Sequence, residues 1–246
     1  MCGIAGFVND MPIDVKCPVL QRMTDMIAHR GPDSEGHYID EHAALGHRRL
    51  SIIDLGGGQQ PIYNEDGSKV ITFNGEIYNY QTLREELIAA GHTFTTKSDT
   101  EVLLHGYEQW GVDLLQRVRG MFTFVIWDKN KQELFGARDH FGIKPFYYAK
   151  MNGTFMYASE IKSLLRHPDF VKELNAEALK PYMTFQYPAI GETFFKGVYK
   201  LPEGHYFTYR DGKMDIHRYY DEDFREGKQK LGELVNSIDQ TVCDSA

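Results

Sequence analysis

The sequence predicts a layered α+β domain in which two β-sheets pack face to face with helices outside them. Three observations lead there. Short β-prone runs at 2–8, 42–53, 69–75, 120–128, 133–139, 145–150, 154–159 and 205–212 are separated by Gly, Asn and Asp turns. One of them, "MFTFVIW", is apolar without alternation, the pattern of a strand covered on both faces. Amphipathic helices lie between the strands, so cover for the sheets is available in the chain itself.

Each helix has a readable stripe. The first, 18–29, opens on Pro18 and aligns Leu20, Met23 and Ile27. The second, 80–91, aligns Leu83, Leu87 and Ile88 and stops at Gly91. The third, 98–111, aligns Val102, Leu103, Tyr107 and Trp110 and closes at Gly111. Its start, Ser98 with Glu101 three residues on, spells a capping box. Past residue 222 the chain turns polar, while Leu231, Leu234, Val235, Ile238 and Val242 recur at helical spacing. That helix has no sequence left to cover it. We therefore expect one domain over 1–222, then a linker and the start of a further domain over 223–246.

The 246 residues suffice for a substantial core, and a formal net charge of −8 argues against broad nucleic-acid binding, which needs a basic face. No apolar run approaches the roughly 20 residues of a membrane span, and the start has no signal-peptide pattern. The expectation is a cytoplasmic protein that meets no membrane. Cys2, Cys17 and Cys243 form neither a disulfide framework nor a C-x-x-C pair. His42 and His47 are poorly spaced as ligands, so no metal site is expected.

Five stretches carry candidate chemistry, each with a bland alternative. Cys2 is either a small apolar residue leading a buried strand or a nucleophile beside the chain's amine. An α-amine titrates near about pH 8, so removal of Met1 would let Cys2 use its own amine as base. Asn74-Gly75, in "FNGEIYNY", reads locally as a hairpin turn, yet an Asn amide and a Gly N–H also suit an oxyanion. Asp99, in "KSDTEVLL", reads locally as a solvated acid in a first helical turn, or as a partner for a substrate ammonium. Of the neighbours Arg48 and Arg49, strand alternation sends one to each side, for a salt bridge or for a substrate carboxylate. "DLGGGQQP" lacks the G-K-[ST] of a phosphate loop and reads as a mobile surface loop.

The order of motifs is more specific than any one of them. A chain with M-C-G-I, "HRGPD", "RRLSIID", "FNGEIYNY", "SDTEVLL", "GMFTFVIWD", "RDHFGIKPFYY" and "YASEIKSL" resembles the class II glutamine amidotransferase domain of glutamine-hydrolysing asparagine synthetases, over residues 2 to about 222. The resemblance implies an N-terminal-nucleophile αββα sandwich of two antiparallel sheets between helical layers. It implies that Cys2 is the nucleophile, that Asn74 and Gly75 form the oxyanion hole, and that Arg49, Glu76 and Asp99 bind L-glutamine. The implied partner is a C-terminal synthetase domain, whose S-G-G-x-D-S loop this chain lacks. ATP and Mg are expected only for that domain, with no cofactor in this one; oligomeric state is left open, a homodimer included. Two alternatives stand beside this: a related amidotransferase that serves another acid, and a catalytically silent regulatory domain.

Overall fold

The computed structural model describes residues 2–52, 54, 56–187, 191–224, 227 and 229–245. It opens with β1 (Gly3–Val8), α1 (Ile13–Asp25), β2 (Ser34–Ile39), β3 (Ala43–Arg49), β4 (Ile62–Tyr63) and β5 (Lys69–Ile77). Next come α2 (Tyr80–Ala89), α3 (Asp99–Trp110), β6 (Gly120–Asp128), β7 (Glu133–Arg138), β8 (Tyr147–Met151) and β9 (Thr154–Ala158). The rest is α4 (Ile161–Leu164), α5 (Leu179–Phe185), β10 (Val198–Lys200), β11 (His205–Arg210), β12 (Lys213–Arg218) and α6 (Leu231–Ser245).

The strands form two six-stranded sheets, ordered β10-β8-β9-β1-β3-β2 and β12-β11-β7-β6-β5-β4. Neighbours pair antiparallel, with β1 between β3 and β9 and β5 between β4 and β6. Three apolar layers hold them. Ile4, Leu45, Val125, Trp127, Phe155 and Phe207 fill the space between the sheets. Phe7, Leu20, Met23 and Ile27 seal α1 to the outer face of the first sheet. Phe73, Leu83, Leu87, Val102, Leu103 and Phe124 seal α2 and α3 to the outer face of the second. β6 shows why its sequence does not alternate: Phe122, Phe124 and Ile126 meet the helices, while Val125 and Trp127 meet the other sheet. This is the αββα arrangement.

Several local expectations are corrected. α1 begins at Ile13, so Pro18 lies inside it rather than at its start. The earlier turn is tied to the β2–β3 connection, where Lys16 Nζ donates to the carbonyls of Asp40 (3.1 Å) and Glu41 (2.6 Å). Ile88 falls off the buried stripe of α2 and is 52% exposed, whereas Leu83 and Leu87 are buried. The capping box at α3 is half formed. Ser98 accepts from Thr100 N–H (3.2 Å), but the Glu101 carboxylate turns to the N–H and hydroxyl groups of Thr95 and Thr96. Asn74-Gly75 is no turn: both residues lie inside β5, opposite Thr123 and Phe122. A Cβ on Gly75 would come within 2.2 Å of the Met121 carbonyl oxygen, so close strand approach and not a turn requires that glycine. The α6 stripe is helical, and its described residues are exposed along its length.

His47 joins the sheets. It is fully buried opposite Ile4, and its Nε2 donates to the Phe73 carbonyl (3.0 Å). Burial lowers its pKa to about 3. The unfolded chain would take up a proton near pH 6.5, which the folded one refuses. The stability this group contributes is thus complete above about pH 6.5 and lost as pH falls toward 3. By pH 5 we expect it to have cost roughly 2 kcal/mol. Urea melts at pH 7 and 5 check this: the acid loss should be smaller in His47→Gln, and an equal loss in both proteins would refute it.

Candidate active site

Cys2 stands immediately before β1, and the alternation that turns Ile4 into the space between the sheets turns Cys2 the same way. Arg30 fixes its backbone by donating Nε–H to the Cys2 carbonyl (3.0 Å), while Arg30 Nη1 pairs with Glu160 (3.1 Å). The thiol sits against Leu50, whose N–H lies 3.3 Å from Sγ and whose carbonyl lies 3.5 Å from it. Burial pushes the thiol pKa up; Leu50 and the Arg49 guanidinium pull it down, and Glu76 adds to the rise. The resting group is therefore a thiol, and it needs a base to react.

The two arginines part as strand alternation requires. Arg48 faces out and pairs with Asp25 and with Glu35 (2.6 Å). Arg49 is 7% exposed, enters the cleft beside Cys2, and donates Nη2 to the Asp54 carbonyl (2.6 Å). A Cβ on Gly58 would stand 2.9 Å from Arg49 Nη2, so the glycine loop lets backbone pack against the guanidinium. That loop is thus part of the cleft wall; Ile53 and Leu55, which the sequence places before it, lie outside the described residues.

One cleft gathers most of the predicted residues: Cys2, Arg49, Gly75, Glu76 and Asp99 line it, with Gly58, Gln60 and Ser98. Asp99 is not the solvated acid of the local reading. It is 4% exposed, and its Oδ2 accepts from the Ile77 N–H (3.0 Å). Burial pushes its pKa up, and that of Glu76 rises through burial and then through the Asp99 charge. Two carboxyl groups lining one cleft and coupled in charge form a natural seat for a cation. Asn74 lies just behind the wall, 1% exposed, and its Nδ2 is a buried donor without a hydrogen-bond partner among the described residues. Along β5 it points the same way as Val70, into the space between the sheets.

Some contributors escaped sequence reasoning. Gln60 ties the site together, accepting from Phe73 N–H (2.6 Å) and donating to Thr100 (3.2 Å), so it spans from the strand of Asn74 to the helix of Asp99. The "RDHFGIKP" motif proves to be scaffolding. Asp139 accepts from the N–H groups of Phe122, Ile143 and Lys144, and Arg138 donates to the carbonyls of Lys144 and Leu201. Lys144 ends up 3% exposed in the field of Glu76 and Cys2, and burial lowers its pKa. Gln60 and the Phe122 and Leu201 contacts carry no short-range signal, because those partners are distant in sequence, whereas Ile143 and Lys144 lie within the motif itself.

Comparison with known proteins gives the family. The profile described as "Glutamine amidotransferase domain" matches residues 1–220, and the chain belongs to that family. All of the chain aligns with asparagine synthetase [glutamine-hydrolyzing] 1 of Bacillus subtilis at 44% identity, covering 39% of that protein. A second relative, amidase chry2 of Gibberella zeae, is 37% identical over 90% of the chain and 34% of its own length. The chain thus spans about two-fifths or less of these relatives. Among solved structures, the glutamine phosphoribosylpyrophosphate amidotransferase of Bacillus subtilis matches 90% of this chain and 50% of its own, with a TM-score of 0.66 at 17% identity. That likeness is of fold: two antiparallel sheets packed between helical layers. No described helix is long and apolar enough to cross a membrane.

Proposed function

We propose that the domain hydrolyses glutamine to glutamate and ammonia through a cysteinyl thioester. The observation that carries this reading is the meeting of Cys2, Arg49, Gly75, Glu76 and Asp99 in one cleft, with an unpartnered Asn74 amide beside it. Arg49 takes the α-carboxylate of glutamine, and Asp99 with Glu76 takes its ammonium. The Cys2 amine, freed by loss of Met1, removes the thiol proton. Sγ then attacks the side-chain amide carbon, and the oxyanion settles between Asn74 Nδ2 and the Gly75 N–H. The same amine, now protonated, returns its proton to the departing nitrogen. Water hydrolyses the thioester, restoring thiol and amine.

The ammonia serves an ATP-dependent synthetase domain that amidates aspartate to asparagine. That domain follows the amidotransferase unit at about residue 222, with α6 at its beginning, and brings the need for ATP and Mg; this domain uses no cofactor. The relatives named asparagine synthetases support aspartate as acceptor. A relative named an amidase keeps a different acceptor in view, so amide formation by the full-length protein should be assayed with aspartate against other acids.

Intact mass combined with a glutaminase assay tests the self-base mechanism. Protein that has lost Met1 should release glutamate, and full activity in protein retaining it would refute the amine as base. Arg49→Ala should raise KM for glutamine about 10- to 100-fold, the value of a charge-assisted bond, with kcat little changed. Initial rates over a range of glutamine concentrations read this directly.

A further inference from the structure

A second group of side chains lies away from the Cys2 cleft and contributes nothing to it. Glu65 follows β4, His92 follows α2, and His105 and Glu108 occupy adjacent turns of α3. One ligand atom from each of the four lies within 4.8 Å of the others. His105 Nδ1 is 3.0 Å from Glu108 Oε2 and 3.4 Å from Glu65 Oε2, and His92 Nδ1 is 3.4 Å from Glu65 Oε1. A tetrahedral ion with bonds of about 2.0–2.1 Å holds its ligand atoms about 3.4 Å apart. The individual contacts approach that spacing, and an ion would draw in four ligand atoms that lie at most 4.8 Å apart.

The surroundings are arranged as for ligands. Each imidazole turns Nδ1 inward; His105 Nε2 has the Glu101 carboxylate near it at 3.5 Å without a hydrogen bond among the described residues, whereas His92 Nε2 has a partner in the Gln109 side-chain oxygen at 3.1 Å. That is how metal-bound histidines have their tautomer and ring orientation fixed. The carboxylates are held too, Glu108 Oε1 by Asn64 Nδ2 (2.7 Å) and Glu65 Oε1 by Thr93 N–H (3.1 Å). His105 is buried, whereas Glu65 is open enough for an ion to enter.

We propose that Glu65, His92, His105 and Glu108 form a binding site for a divalent zinc-like ion, which ties the β4–β5 turn and the segment after α2 to α3. Two imidazoles and two carboxylates suit zinc, where calcium and magnesium prefer all-oxygen surroundings. The charge also fits. The carboxylates of Glu65 and Glu108 within the cluster, with Glu101 3.5 Å from His105, give the cage a negative surround that favours a cation. Its role is to brace the fold, and it takes no part in glutamine chemistry.

The experiment uses the full chain carrying Cys17→Ser and Cys243→Ser, which removes the exposed free thiols as competing zinc ligands. After chelator treatment and dialysis, zinc chloride is titrated by calorimetry and cobalt(II) by absorbance. The expected results are one strong zinc site and the intense visible bands of tetrahedral cobalt without a thiolate charge-transfer band. The melting temperature should rise by about 5–10 °C at zinc a hundredfold above Kd. Glu65→Gln and His92→Ala lie at the open side of the site and should each weaken zinc at least about tenfold. Absence of one-site binding, a weak octahedral cobalt spectrum, or unchanged affinity in both variants would overturn the proposal.

Discussion

Cys2→Ala should fold normally and fail to release glutamate from glutamine, with turnover down by about four orders of magnitude or more. Covalent catalysis leaves no weaker route, since no other thiol lines the cleft among the described residues. The fold should notice little. Cys2 precedes β1, its carbonyl still accepts from Arg30, and only the thiol contacts with Leu50 disappear. Two readouts separate the effects: melting temperature should stay close to wild type, while acid-quenched glutamyl-enzyme should vanish. A variant retaining turnover within tenfold of wild type would place the nucleophile elsewhere.

Asn74→Ala should lower kcat about 100- to 1,000-fold with KM for glutamine nearly unchanged, the signature of a group that acts in the transition state. This corresponds to roughly 3–4 kcal/mol for one oxyanion donor. Stability should behave differently. A buried donor without a partner costs about 1–3 kcal/mol, so its removal relieves that penalty while opening a small cavity. The two effects offset, and the variant should unfold within about 1 kcal/mol of wild type. Steady-state kinetics and urea melts on the same preparation check both halves. A matching kcat would dismiss the oxyanion role. A loss of several kcal/mol in stability would mean that the side chain is structural.

How much of this was legible in the sequence differs by level. The two-sheet architecture was, because β6 is apolar on both faces and the helices carry one-sided stripes. β2 was not, since its residues "SEGHYI" are mostly half-buried and give no clean alternation, and β4 is only two residues long. At the site, each local reading of Asn74-Gly75 and Asp99 favoured the ordinary outcome and was mistaken. The hairpin failed because Gly75 is needed for the approach of Met121, across the sheet. The solvated acid failed because Ile77, on another element, supplies its hydrogen bond. Only the ordered set of motifs pointed to the cleft. Gln60, the reach of Arg138 and Asp139 to Leu201 and Phe122, and the meeting of Glu65 and His92 with His105 depend on tertiary proximity, which spacing along the chain does not show.

The order of strands in the first sheet has a consequence for synthesis. β1 is made first but lies in the middle, and its β9 edge cannot pair until residues 154–158 have emerged. At translation rates of about 5–20 residues per second, that wait is roughly 10–30 s. Throughout it, the amino end of β1 remains outside any finished sandwich. An aminopeptidase therefore has its opportunity to trim Met1 while the chain is still growing. Under the proposed self-base mechanism, slow removal of Met1 would accordingly leave folded molecules that release no glutamate.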